Sequence, residues 1–155
     1  MNRLRALAAS VALIALLGLV PACGKRAPNA TPEGAVRDFV ERMDRFQGDP
    51  AEAKAAYALL SEATQANLKA RAERYSAASG KSIQPEAMIA PAAFLLRFQP
   101  QRYTATLAGA QARVRVSGLL PEDRAEVSCV YEGDGWKLEL ALPPPPPIQT
   151  RPFND

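Results

Sequence analysis

The 155-residue chain contains two cysteines, Cys23 and Cys129, and no histidine. Without imidazole, Ser-His-Asp and Cys-His nucleophilic sites and histidine-based metal centres are excluded. The chain also lacks a glycine-rich phosphate loop and a nucleotide fingerprint, so neither a cofactor nor a metal is expected. Carboxylates are left for acid–base work. Asp38, Glu41 and Asp44 lie on a helical pattern, and Glu122 and Asp123 in a loop. A carboxylate is a useful base near neutrality only where burial raises its proton affinity. These five read as solvated, and no catalytic residue is expected. Arg113 and Arg115 alternate with Ala112, Val114 and Val116, which puts both guanidiniums on one side of a strand. With Arg102 and Arg97 they would make a basic strip for an anionic ligand or lipid; the alternative is an ordinary solvated face paired with Glu126 and Glu139. Tyr57, Tyr75 and Trp136 are candidates to line a pocket, although aromatics on element faces more often belong to a core.

Cys23 stands in a different setting. Arg3 and Arg5 precede about fifteen small or apolar residues, 6–20, that carry no charge. This layout is that of a secretory signal, short for a membrane-spanning helix of ~20 residues. The run Leu19-Val20-Pro21-Ala22-Cys23 then resembles the bacterial lipobox. That resemblance implies cleavage before Cys23, a signal peptide of residues 1–22, and acyl chains, palmitate among them, on the new N-terminal cysteine. One acyl chain holds a protein only reversibly, whereas several make release negligible. Gly24 in place of Asp after the cysteine implies transfer to the periplasmic face of the outer membrane. The alternatives are an uncleaved anchor, or cleavage at Ala22 with Cys23 left as a free thiol.

Removal of the signal changes the composition. The chain has 19 Lys and Arg against 16 Asp and Glu; without Arg3 and Arg5 the balance is 17 to 16, over 133 residues. A nearly neutral chain without clustered positive charge is not expected to bind nucleic acid. Its length suits one domain with a hydrophobic core. With Cys23 acylated, Cys129 has no partner for an internal disulfide, and its strand-like surroundings suggest a buried, apolar role; the alternatives are an intermolecular disulfide and a reactive thiol.

The elements that position these residues are read from periodicity. Residues 23–30 read as a lipidated linker. Thr31-Pro32-Glu33 starts a helix with Val36, Phe39, Val40, Met43 and Phe46 on one face. After Gly48, Asp49-Pro50 opens a second helix with Tyr57, Leu59 and Leu60 on its apolar side, and Ser61 caps a third in which Leu68, Ala72 and Tyr75 form a stripe that stops at Gly80. Pro85 begins a short helix through Ile89, and residues 92–98 are an apolar run of undetermined type. From Arg102 the period becomes two: strands over 103–107, 112–116, 125–131 and 136–140 are separated by Gly109, a loop over 118–123 and a Glu-Gly-Asp-Gly hairpin. Neighbouring strands of this kind pair antiparallel, one face wet and the other packed on the helices. The prolines at 143–147 cannot donate ladder hydrogen bonds, so the domain is expected to span residues 31–142 and a proline-rich tail residues 143–155.

This α+β layout, N-terminal amphipathic helices followed by a curved antiparallel sheet ending in Gly-Trp-Lys-Leu, resembles the nuclear transport factor 2-like cone fold. The stretch 32–60 is similar to uncharacterised bacterial lipoproteins of that group. The resemblance implies a sheet wrapped against a long helix with a pocket at the open end, which different members use for catalysis, ligand binding or dimerisation. Fold alone does not select among these. The expected function is a non-catalytic, envelope-anchored ligand-binding or assembly module. Its partners would be the membrane through Cys23, an envelope protein or small ligand, and potentially a second copy of the chain. The alternatives are an enzyme with a pocket carboxylate as base and a structural adaptor acting through the tail.

Overall fold

A computed structural model describes residues 26–46, 48–89 and 96–144. The expected signal peptide, Cys23, residues 92–95 of the apolar run and the tail beyond 144 lie outside them. The architecture of the described residues is α+β: three helices precede a four-stranded antiparallel sheet in the order β1-β2-β3-β4.

Helix α1 (Pro32–Arg45) begins as its residues dictate. The Thr31 hydroxyl accepts the Gly34 amide at 3.1 Å, Pro32 occupies the first turn and Glu33 lies at its positive end. Val36, Phe39, Val40 and Met43 are all buried, while Phe46 is only half-buried at the helix end. Helix α2 (Pro50–Ala58) is capped by Asp49, which accepts the Ala51 amide at 2.8 Å. Its buried residues are Ala53 and Ala56; Leu59 and Leu60, expected on its apolar side, lie beyond its end. Leu60 instead forms a parallel bridge with Leu138, the Leu138 amide donating to Leu59 O and the Ser61 amide to Leu138 O, each at 2.8 Å. The physical reason is the sheet's last edge, whose backbone groups need partners.

Helix α3 (Glu62–Ser79) is capped by Ser61 and ends at Gly80, whose φ of 68° is the left-handed conformation glycine adopts at least cost. Leu68 and Ala72 are buried as expected, but Tyr75 is 55% exposed. Near Ser76 the helix is met by the chain leading to the 3-10 turn Pro85–Met88, where the Ile83 amide donates to Ser76 Oγ. Tyr75 therefore does not complete the stripe.

The strands are β1 (Arg102–Ala108), β2 (Gln111–Ser117), β3 (Arg124–Glu132) and β4 (Gly135–Glu139). Alternation sends Val114, Val116, Val127, Cys129, Trp136 and Leu138 inward, where they form one core with α1. The β1 edge is also covered in part: Glu33 Oε1 accepts the Ala105 amide at 3.1 Å. A second difference from expectation concerns the linker. Its last residues form a 3-10 turn, Pro28–Ala30, seated on the domain because Gly34 and Gly135 leave room. A side chain at Gly135 would collide with Asn29, and one at Gly34 with the Pro28 carbonyl.

Candidate binding face

The helices occupy one side of the sheet, so strand alternation leaves the other side as a polar surface that no described element covers. Register arranges it in rows across the strands. Thr106, Arg113, Ser128 and Glu139 are successive partners; Thr104, Arg115 and Glu126 form the next row, and Arg102, Ser117 and Arg124 the last. This face bounds an open groove of about 670 Å³.

Its electrostatics are set by one shared acid. Glu126 lies 3.7 Å from Arg113 and 3.3 Å from Arg115. The three side chains are 47%, 70% and 60% exposed respectively, and such pairs contribute about 0–1 kcal/mol each. Both guanidiniums therefore keep donors free for an incoming group at little cost. Arg102 has no acidic partner among the described residues, and Glu139 lines the groove without an ion-pair partner among them. The arrangement suits recognition: arginines to hold an anion, with Thr104, Thr106 and Ser128 hydroxyls to bond polar groups around it. No hydroxyl in the groove is hydrogen-bonded to a base among the described residues, so none is set up there as a nucleophile.

The basic-strip expectation thus describes Arg102, Arg113 and Arg115, which share this face. Arg97 lies in the segment before β1 and does not line the groove. The alternative pairing holds for Glu126 but not Glu139. The three aromatics do not converge. Trp136 is in the core, edge-on to Tyr131 with ring centroids 5.5 Å apart. Tyr57 donates its hydroxyl to Gln65 O from α2, and Tyr75 is exposed on α3. Of the helical acids, Asp38 bonds Arg42 at 3.0 Å, and Arg42 continues to Glu52 at 3.2 Å, a pairing that joins α1 to α2. Glu41 and Asp44 are exposed.

Cys129 is 2% exposed. Burial pushes its thiol up to about 12, with the Glu33 carboxylate adding to the effect, which makes it a poor nucleophile. Among the described residues no three or more His, Cys, Asp or Glu side chains group as a metal site. No helix among them is long and apolar enough to cross a membrane. Sequence reasoning missed Thr104, Thr106 and Ser128, whose signal was two-residue spacing, in β3 between the buried Val127 and Cys129 and in β1 beside the half-buried Tyr103 and Ala105. It also passed over Leu119 and Leu120, which are 85% and 53% exposed at a loop tip. No protein-family model, curated protein or solved structure matches this chain.

Proposed function

We propose that this chain is a lipid-anchored envelope protein whose domain binds a polar, anionic ligand or partner on the helix-free face of its sheet and catalyses no reaction. One observation carries the binding assignment: the groove brings three arginines, two acids and a set of hydroxyls together on an open face, with no helix among the described residues covering them. The lipid anchor at Cys23 is supported by the basic start, the apolar run and the lipobox-like residues, and the placement on the periplasmic face of the outer membrane by Gly24 in place of Asp. Three helices on one side of an antiparallel meander support keeping the domain with the nuclear transport factor 2-like cone folds. Its groove, however, lies on the side away from α1.

The test uses the full chain expressed in a bacterial envelope. Cys23→Ser abolishes palmitate labelling and membrane fractionation on this reading. Crosslinking and affinity recovery from the envelope then return a specific partner or ligand with the wild type, and lose it with the doubly substituted R113S/R115S. Unchanged labelling of C23S removes the anchor. Unchanged recovery with R113S/R115S moves binding off this face, and reproducible turnover that vanishes with E126Q or E139Q replaces the reading with the enzyme.

A further inference from the structure

The sheet has two unlike ends. The chain enters the domain at the end that holds the β3–β4 hairpin, where Asn29 packs against Gly135. At the opposite end the β2–β3 loop presents Leu119 and Leu120, 85% and 53% exposed. This loop has a defined shape. The Gly118 amide donates to Asp123 O at 2.8 Å, the Asp123 amide to Leu120 O at 3.0 Å, and the Leu120 amide to Asp123 Oδ2 at 3.1 Å. Gly118 sits so close to Asp123 and Phe98 that an added Cβ would lie 2.6 and 2.8 Å from their atoms. Two adjacent, exposed leucines are thus presented by a closed loop and join no core among the described residues.

The charged groups beside them are Glu122, exposed in the loop itself, and the arginines of the adjoining strands. Ser117, the residue before Gly118, is the register partner of Arg102 on β1 and Arg124 on β3, so both guanidiniums flank it on the helix-free face. Arg115 lies one step along the same face. Arg102 and Arg124 have no acidic partner among the described residues, whereas Asp123 is engaged inside the loop. A leucine pair next to arginines that have no ion-pair partner among the described residues suits an anionic bilayer surface, where headgroup phosphates pair with guanidiniums, apolar side chains enter the acyl boundary and Glu122 is left on the water side.

We infer that the β2–β3 loop docks on an anionic membrane, Leu119 and Leu120 inserting and Arg102 and Arg124 binding lipid phosphate. This goes beyond the anchor proposed at Cys23. Attachment at both ends of the sheet lays the domain along the bilayer, the arginine-bearing face towards the headgroups.

The experiment uses the full chain in vesicles with Leu119→Trp as a depth reporter, and the wild type to record the buried Trp136 background. Co-flotation reads the anchor, and quenching of L119W emission by lipids brominated on their acyl chains reads the docking, so the two fail separately. In phosphatidylglycerol-containing vesicles L119W emission shifts to the blue and is quenched; in phosphatidylcholine alone it is not. Adding R102S and R124S lowers the docked-to-free ratio about fivefold for each arginine removed, and raised salt lowers it as well. An anchored chain whose L119W is unquenched in both vesicles overturns the inference, as does equal quenching in neutral and anionic lipid. Shielding of L119W only when envelope proteins are added overturns it in favour of a protein partner.

Discussion

Cys129 shows how position governs chemistry at the scale of one residue. Its register partners Ala112 and Leu138 flank it on the inner face, and the thiol lies under α1. Burial, with Glu33 as a lesser contribution, raises it from an ordinary value of 9.0 to about 12. The unfolded thiol ionises near its ordinary value and the folded one does not. Its contribution to stability is therefore complete below about pH 9 and is lost as pH rises towards about 12. Cys129→Ala lacks that pH-dependent share. The gap between wild type and C129A in urea midpoint should accordingly narrow across this window. At neutral pH the folded protein should resist maleimide until denatured; rapid stoichiometric labelling of the native state would contradict the buried placement. The same reasoning separates this thiol from Arg113 and Arg115, whose one-residue offset from buried Ala112, Val114 and Val116 turns them to water.

At the scale of elements, the most consequential polar contact is the buried one between α3 and the end of β4. Ser61 and Thr64 are 0% and 3% exposed. Ser61 Oγ accepts the Thr64 amide at 3.3 Å and lies 3.0 Å from Thr64 Oγ1, which in turn accepts the Leu140 amide at 3.1 Å. Ser61→Ala removes the cap and strands a buried amide, so a loss of about 1–2 kcal/mol is expected in chemical denaturation. A shift within a few tenths would mean water replaces the hydroxyl. Serine as a helix cap was legible in the sequence because capping is local, as it was for Thr31 and Asp49. The roles of Leu59 and Leu60 were not, because nothing within the helical period signals that Leu60 will pair with Leu138, 78 positions away. The groove had an intermediate legibility. Alternation put Arg113 and Arg115 on one side, but placing Thr104, Glu126 and Ser128 beside them required the register of three strands. Glu33 is similar: it reads as a first-turn acid, and only the tertiary fold brings it to the Ala105 amide.

For the whole molecule, the domain is larger than its periodic part. Composition put its limits at residues 31–142, since Pro and Gly before Thr31 and a proline run after Leu142 interrupt every pattern. Yet Pro28–Ala30 seats on α1 and β4 against two glycines. At the other terminus the Pro143 carbonyl accepts from Arg71 Nη2 at 2.6 Å and Asn67 Nδ2 at 3.3 Å, and Arg71 Nε is itself bonded to Asn67 Oδ1 at 2.7 Å. Short pieces of this kind have no period to detect; they are recognised only by what they pack on. The two seams sit at opposite ends of the sheet, so their losses should add. A chain trimmed to residues 31–142 loses the packing of Asn29 and a charge-assisted hydrogen bond, and it should be less stable than residues 26–144 by about 1–3 kcal/mol. For a domain of this size that lowers the melting temperature by about 4–10 °C. Arg71→Ala in the longer chain isolates the C-terminal seam and should produce part of the shift, leaving the remainder to residues 26–30. Equal melting temperatures for the two lengths would mean that neither seam contributes, returning the domain's limits to those the periodicity suggests.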